Sequence, residues 1–260
     1  MKKISQSTII SLFNPKGMLT QKNRTWNQYG SLIKHLNQLQ DVKVIVLSGT
    51  GKHLSAGIDL KSSFKMFKET SQKTKAQTLE FLKKFQNDIN IGVGSKIPII
   101  SVAHGVSFGL ALDLISATSI RLASKDSRFS IKEIDIGIIA DIGSLQRLPI
   151  LSNNVSKIYE YALTGDEFNS QDAFDLGLVS NVFSSKEEAL NRAFEIANKI
   201  SLKYQPAVHG TKQNLDLVTS NSQIVSKGLE QVGIDNTNLM KDPKFSEFFV
   251  KSTKKLGSKL

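Results

Sequence analysis

Cysteine is absent from the 260-residue chain. That excludes disulfides, thiolate zinc sites, thiol nucleophiles and iron–sulfur clusters. Histidine is scarce: His35, His53, His104 and His209 never pair at a short ligand spacing, so the sequence offers no histidine-based metal site. No apolar run approaches the ~18 residues of a membrane span. The opening MKKISQSTIISLF is basic and then briefly apolar, but it lacks a small-residue cleavage site. It reads as a first strand rather than a signal peptide. Acidic residues are the minority, 23 against 34 basic ones, for a net charge of +11. The lysines are mostly dispersed, with the densest group at Lys251, Lys254, Lys255 and Lys259. Such a pattern reads as a solvated basic surface, or as a host for a phosphate-bearing small molecule. Nucleic-acid binding is the weaker reading, because basicity alone argues little for it.

What is present suits a globular α/β protein, one large domain or a core with a smaller appendage, with 40% hydrophobic and 22% charged residues. Residues 8–13 read as a strand, and Asn14-Pro15-Lys16-Gly17 as a turn. Residues 21–39 carry Trp26, Tyr29, Leu32, Ile33 and Leu36 at nearly helical spacing. Val42–Leu47 and Ile97–Val102 are near-continuous apolar runs, the pattern of strands covered on both faces. Residues 64–91 read as helical, Gly105 as the end of the second strand, and Gly109–Ala117 as a helix. Further short strands are expected at Ile120–Ala123 and Phe129–Ile131. Residues 142–165 mix helix and turn, Gln171–Leu176 is a helix closed by Gly177, and 185–202 and 206–250 are helical. Strands alternating with helices, then helices alone, predict an α/β domain followed by a helical region.

Three segments carry chemistry. Ser48–Leu60 puts a small-residue turn, Ser55-Ala56-Gly57, after a buried strand. It fits neither nucleotide-loop spacing, and a tight turn alone would explain it, but a ligand could approach its backbone N–H groups closely. His104–Asp113 joins a strand to a helix, and the first N–H groups of a helix lack internal partners and favour an anionic oxygen. Asp113 lies in the first turn, where a carboxylate is favourable for that reason alone. Phe129–Gly143 embeds carboxylates among isoleucines. Buried carboxylates survive when paired or when their proton affinity is shifted for use, so Glu133 and Asp141 are candidate acid/base groups. Asp135 could equally be solvated or cap a turn.

These segments resemble the crotonase (enoyl-CoA hydratase/isomerase) family. SGTGKHLSAGIDL is similar to its first motif, and SVAHGVSFGLALDLISATSIRLASKDSRFSIKEIDIGIIADIGSLQRLP to its second and third. With ALTGDEFNSQDAFDLGLVSNVF, the resemblance covers most of residues 8–215. AGIDL, SIRLASKD and KEIDIGIIADIGSLQRLP look most like its Δ3,5-Δ2,4-dienoyl-CoA isomerase branch. The resemblance implies a crotonase-like ββα spiral core over residues 1–195 holding the acyl-CoA site. A helical oligomerisation region over 196–260 would build trimers or hexamers. It implies an oxyanion hole from the backbone N–H groups of Ile58 and Leu110. The substrate would lie along Ala56, Gly57, Ile58, Asp59, Leu60 and Leu110. Asp113 and Glu133 match the positions of the hydratases' two catalytic glutamates. Asp141 matches a third carboxylate, where hydratases usually carry glycine. Leu110 departs from the family's glycine run, and its side chain is expected to narrow the acyl channel.

The implied reaction converts a 3,5-dienoyl-CoA to a 2,4-dienoyl-CoA, with Glu133 as base, Asp141 delivering the far proton, and Asp113 holding substrate or tuning its neighbours. No metal or redox cofactor is implied, since coenzyme A is part of the substrate. The alternatives are enoyl-CoA hydration, Δ3,Δ2-enoyl-CoA isomerisation, and RNA binding by the same fold. The terminal Ser258-Lys259-Leu260 reads as an address for the peroxisomal import receptor, placing the protein in the peroxisome matrix.

Overall fold

The structure, a computed structural model, describes residues 8–11, 19–20, 23–59, 73–219 and 222–257. The expected turn at Asn14–Gly17, Leu60, and the Ser258-Lys259-Leu260 tail lie outside the described residues.

The main sheet is built from β1 (Thr8–Ser11), β4 (Ile45–Ser48), β5 (Ile99–Ala103), β7 (Ile120–Ser124) and β10 (Asn181–Phe183), in that spatial order. Every neighbouring pair is parallel. β4 and β5 are buried along their whole length, as continuous apolar strands should be. Their side chains alternate between two cores. Ile45, Leu47 and Ile99 face Trp26, Tyr29 and Ile33 of α1 (Thr25–Leu36) and Phe85 and Ile89 of α2 (Lys75–Gly94). Val46, Ile100 and Val102 face Ala189, Ala193 and Ala197 of α7 (Lys186–Ser201). Alanines four residues apart form one narrow stripe, which lets α7 lie close to the sheet.

A smaller sheet holds β6 (Val106–Phe108), β8 (Arg128–Ser130) and β9 (Phe168–Asn169). β6 and β8 are parallel, and β9 is antiparallel to β8. The chain therefore repeats one move. A strand of the main sheet is followed by a strand of the small one and then by a helical segment: β5, β6 and α3 (Leu110–Ser116), then β7, β8 and the 3-10 turn Lys132–Ile136. This is a ββα spiral. Gly105 does not simply end a strand, as its position suggested. It is the corner between β5 and β6, at φ 53°. A Cβ there would strike Lys52 O and His53 Nδ1, so glycine is required by both backbone angle and space.

Residues 142–165 resolve into α4 (Ser144–Leu151) and α5 (Val155–Thr164), and α6 (Ser170–Asp175) follows β9. A two-stranded antiparallel pair, β2 (Leu19–Thr20) and β3 (Asn23–Arg24), precedes α1. The C-terminal part is helical throughout its described length: α8 (Gln205–Thr219), α9 (Ser222–Leu239) and α10 (Pro243–Gly257). It does not stand apart from the spiral. α9 packs on α2 and α4, and Met240, Phe245 and Phe249 close over Ile136 and Ile138. Among the described residues no helix is long and apolar enough to cross a membrane.

Candidate active site

The site is assembled where the two sheets meet. Ser55 bridges Ser107 in parallel, with Ser55 N–H donating to Val106 O at 3.1 Å and Phe108 N–H to Ser55 O at 3.0 Å. Ile58 and Leu110 each lie three residues beyond their bridged serine, so the two segments leave the bridge side by side. Leu110 opens α3, and the first N–H of a helix has no partner within it.

One cavity, with about 50 Å³ of free space, is lined by Ile58, Leu110, Asp113, Glu133 and Asp141. The remaining wall is largely apolar, with Phe81, Leu82 and Phe85 of α2 on one side and Ile138, Ile142 and Met240 on the other. The Leu110 side chain is part of that wall. Ala56, Gly57 and Asp59 sit on the adjoining loop rather than among the lining residues. There Gly57 N–H donates to Ser55 Oγ at 3.1 Å.

Each carboxylate is held differently. Asp113, the fourth residue of α3, is only 1% exposed. Its Oδ1 accepts the Ser144 N–H at the start of α4, at 2.7 Å, while its Oδ2 is sealed and has no hydrogen-bond partner among the described residues. Behind it the buried Arg147 guanidinium donates to Asp113 O at 2.7 Å and to Ser116 Oγ at 2.9 Å, and also holds Asn90. Glu133 projects from the 3-10 turn toward Gly109, where a Cβ would come within 2.7 Å of its Oε1. The Glu133 residue is half-buried, but its Oε2 is closed off from solvent and has no partner among the described residues. Asp141, 8% exposed, accepts Asn236 Nδ2–H on Oδ2 at 2.7 Å, and its backbone carbonyl accepts from Gln86 at 2.7 Å.

Burial in an apolar site raises the proton affinities of all three acids. Burial, and then the neighbouring charges of Asp113 and Asp141, push Glu133 up to about 8. Burial pushes Asp141 up to about 7, against the Asn236 hydrogen bond, which pulls it down. Asp113 is raised by burial and opposed by Arg147 and Ser144. An acid and a base that exchange places near neutral pH are what such a site can supply.

The enoyl-CoA hydratase/isomerase family model matches residues 5–244. The chain belongs to the enoyl-CoA hydratase/isomerase, or crotonase, family. Among curated relatives, the peroxisomal Delta(3,5)-Delta(2,4)-dienoyl-CoA isomerase of Arabidopsis thaliana is 38% identical, covering 82% of this chain and 77% of its own. The mitochondrial Delta(3,5)-Delta(2,4)-dienoyl-CoA isomerase of Mus musculus is 32% identical over 89% of this chain and 71% of its own. A crystal structure of an enoyl-CoA hydratase/isomerase from Mycobacterium paratuberculosis superposes with a TM-score of 0.81 at 22% identity, covering 96% of each chain. That likeness supports the crotonase fold, with its parallel sheets and C-terminal helices.

The sequence-derived residues Ile58, Leu110, Asp113, Glu133 and Asp141 thus share one cavity in this crotonase. What sequence reasoning missed comes from the helices around it: Gln86 and the phenylalanines of α2, Asn236 on α9, and Met240 beyond it. The polar stretch KKFQNDIN gave Gln86 the look of a surface residue, and Asn236 lies in a helix with no motif around it.

Proposed function

We propose that the protein isomerises 3,5-dienoyl-CoA to 2,4-dienoyl-CoA. The observation that carries this reading is the third buried carboxylate, Asp141, on the same cavity as Glu133 and Asp113. Two acid/base groups are needed at separate carbons, and the dienoyl-CoA isomerases of Arabidopsis and mouse to which the chain is similar agree with this reading.

In this reading the thioester oxygen lies between the N–H groups of Ile58 and Leu110. Glu133, ionised, removes a proton from C2, and the electron pair spreads over the dienolate onto that oxygen. Each such donor contributes about 3 kcal/mol to the transition state. Asp141, protonated, gives its proton to C6, and the electrons settle into double bonds conjugated with the carbonyl. The cycle closes when the proton on Glu133 passes back to Asp141. Both acids hold a proton more tightly than a free carboxylic acid does, Glu133 at about 8 and Asp141 at about 7, so one proton can pass between them near neutral pH. Asp113 raises the proton affinity of both partners by its charge. The scheme needs no metal or redox cofactor. Hydration of a 2-enoyl-CoA would instead put Asp113 and Glu133 on one water, yet Asp113 already has one oxygen committed to Ser144.

The test is the growth of ultraviolet absorbance on 3,5-dienoyl-CoA, with 2-enoyl-CoA and 3-enoyl-CoA as comparisons. Asp141→Asn should lose at least about 10²-fold in kcat, the scale of general acid catalysis, while keeping its fold. Full activity in that variant removes Asp141 from the mechanism.

The same reading assigns the protein to the peroxisome matrix through Ser258-Lys259-Leu260, and to trimers or hexamers built through the helical region 196–260. Apolar side chains exposed there, Leu202, Tyr204, Leu215, Leu217 and Ile224, support a subunit contact. A fluorescent fusion lacking the last three residues should no longer reach peroxisomes. Light scattering should give three or six times the monomer mass.

A further inference from the structure

We propose that Asn236 is a positioning residue that fixes which oxygen of Asp141 carries the transferable proton. The proposal rests on the isomerase reading of the site, and it concerns a residue 95 positions away in the chain.

Asn236 is fully buried. Its Oδ1 accepts the Ile139 N–H at 2.9 Å, and its Nδ2 donates to Ile139 O at 2.7 Å and to Asp141 Oδ2 at 2.7 Å. Those bonds use both amide hydrogens and one oxygen lone pair. Turning the amide over would set its oxygen against two acceptors and its NH₂ against a donor, so the orientation is locked by the backbone of Ile139. Asn236 can therefore only donate to Asp141. Oδ2 stays an acceptor whether Asp141 is charged or neutral, and when Asp141 is neutral its proton belongs on Oδ1. A carboxylic acid with its proton on either oxygen would spend part of its time in an unproductive form. Here α9 removes that freedom. The clamp on Ile139 also holds the backbone two residues before Asp141.

The groups that face Asp141 define what else could move its titration. Among the described residues the charged ones are Asp113 on α3 and Glu133 on the 3-10 turn. α2 presents uncharged Gln86 and Thr78 to the same place, and α9 presents Asn236.

The test uses full-length protein. Asn236→Ala and Asn236→Asp should each lower kcat on 3,5-dienoyl-CoA by about 10-fold or more with a smaller change in KM. The lower limb of the pH–rate profile should move up by about one pH unit, because a hydrogen bond to the charged form is lost. A residue that only supports the helix would reduce the melting temperature and leave the limb in place. That outcome overturns the proposal. A second measurement does not depend on the Asn236 variants folding or on turnover. In wild-type protein labelled with 15N-asparagine, the Asn236 side-chain amide should shift with the same pH midpoint as Asp141, and Asp141→Asn should abolish the shift. If wild-type protein fails to turn over the dienoyl-CoA but the amide titrates with Asp141, the isomerase reading fails and the pairing survives. An amide signal indifferent to pH refutes the pairing itself.

Discussion

Gly109→Ala probes how the site makes room for Glu133, the proposed base. The Gly109 backbone stands at φ 52° and ψ −118°, a region that residues with a Cβ rarely enter. Occupying such a region costs about 1–3 kcal/mol. The added Cβ would lie 2.7 Å from Glu133 Oε1, where ordinary contact begins near ~3.5 Å. Either the carboxylate retreats by roughly 0.8 Å or the start of α3 shifts, and Leu110, the next residue, shifts with it. A misplacement of about 1 Å in a catalytic constellation can cost ~10²-fold in rate. The expected result is therefore a fall in kcat of about 30- to 100-fold on 3,5-dienoyl-CoA. At about 2–4 °C per kcal/mol for a chain of this size, the melting temperature should drop by roughly 2–12 °C. Gly210→Ala is the control: Gly210 lies inside α8, has no positive φ, and no described residue stands within 4 Å of an added Cβ. It should retain full activity and gain up to about 1 kcal/mol of stability. Stopped-flow absorbance and calorimetry read both variants. A Gly109→Ala enzyme with wild-type kcat, whatever its melting temperature, would refute the claim that the Glu133 position is set by the space over Gly109.

Three further outcomes follow from the same geometry. The pH profile of kcat/KM should be a narrow bell whose limbs lie near 7 and 8, values that belong to the Glu133–Asp141 pair; a plateau from pH ~6 to ~9 would contradict a shared proton. Both acids have folded-state values raised above their unfolded ones. The stability they contribute is thus present at low pH and lost as pH rises, from 4.5 to about 8 for Glu133 and from 3.8 to about 7 for Asp141. Glu133→Gln combined with Asp141→Asn should accordingly melt higher than wild type at pH ~8, with the gap closing as pH falls; a gap independent of pH sinks the linkage. Asp113→Ala should be less stable than Asp113→Asn by about 1–3 kcal/mol, because it leaves the buried Ser144 N–H without an acceptor. In Asp113→Asn the upper limb of the pH profile should also move down, since a charge that raises Glu133 is gone; equal melting curves and unmoved limbs would argue against both effects.

The sequence was most legible where one physical cause dominates. β4 and β5 stood out because strands covered on two faces must be apolar throughout. Glu133 and Asp141 stood out because an acid among isoleucines needs a reason. Of the small inner strands, β8 shows in the sequence within one residue of its place, at Phe129–Ile131, whereas β6, three residues long, and β9, two, are too short for alternation to show. Gly105 was read as a stop because turning a corner and ending a strand ask the same thing of a glycine. Asn236 and Gln86 were invisible for a different cause. Their partners lie 95 and 55 residues away, and no local periodicity encodes an amide whose only task is to meet a distant aspartate.

The meeting of α9 with Asp141 has a consequence for biosynthesis. A nascent chain can complete the parallel sheet once Phe183 has emerged, yet it holds an unfinished catalyst until the segment bearing Asn236 and Met240 arrives. A chain that stops short of Asn236 would lack both the partner of Asp141 and part of the cavity wall.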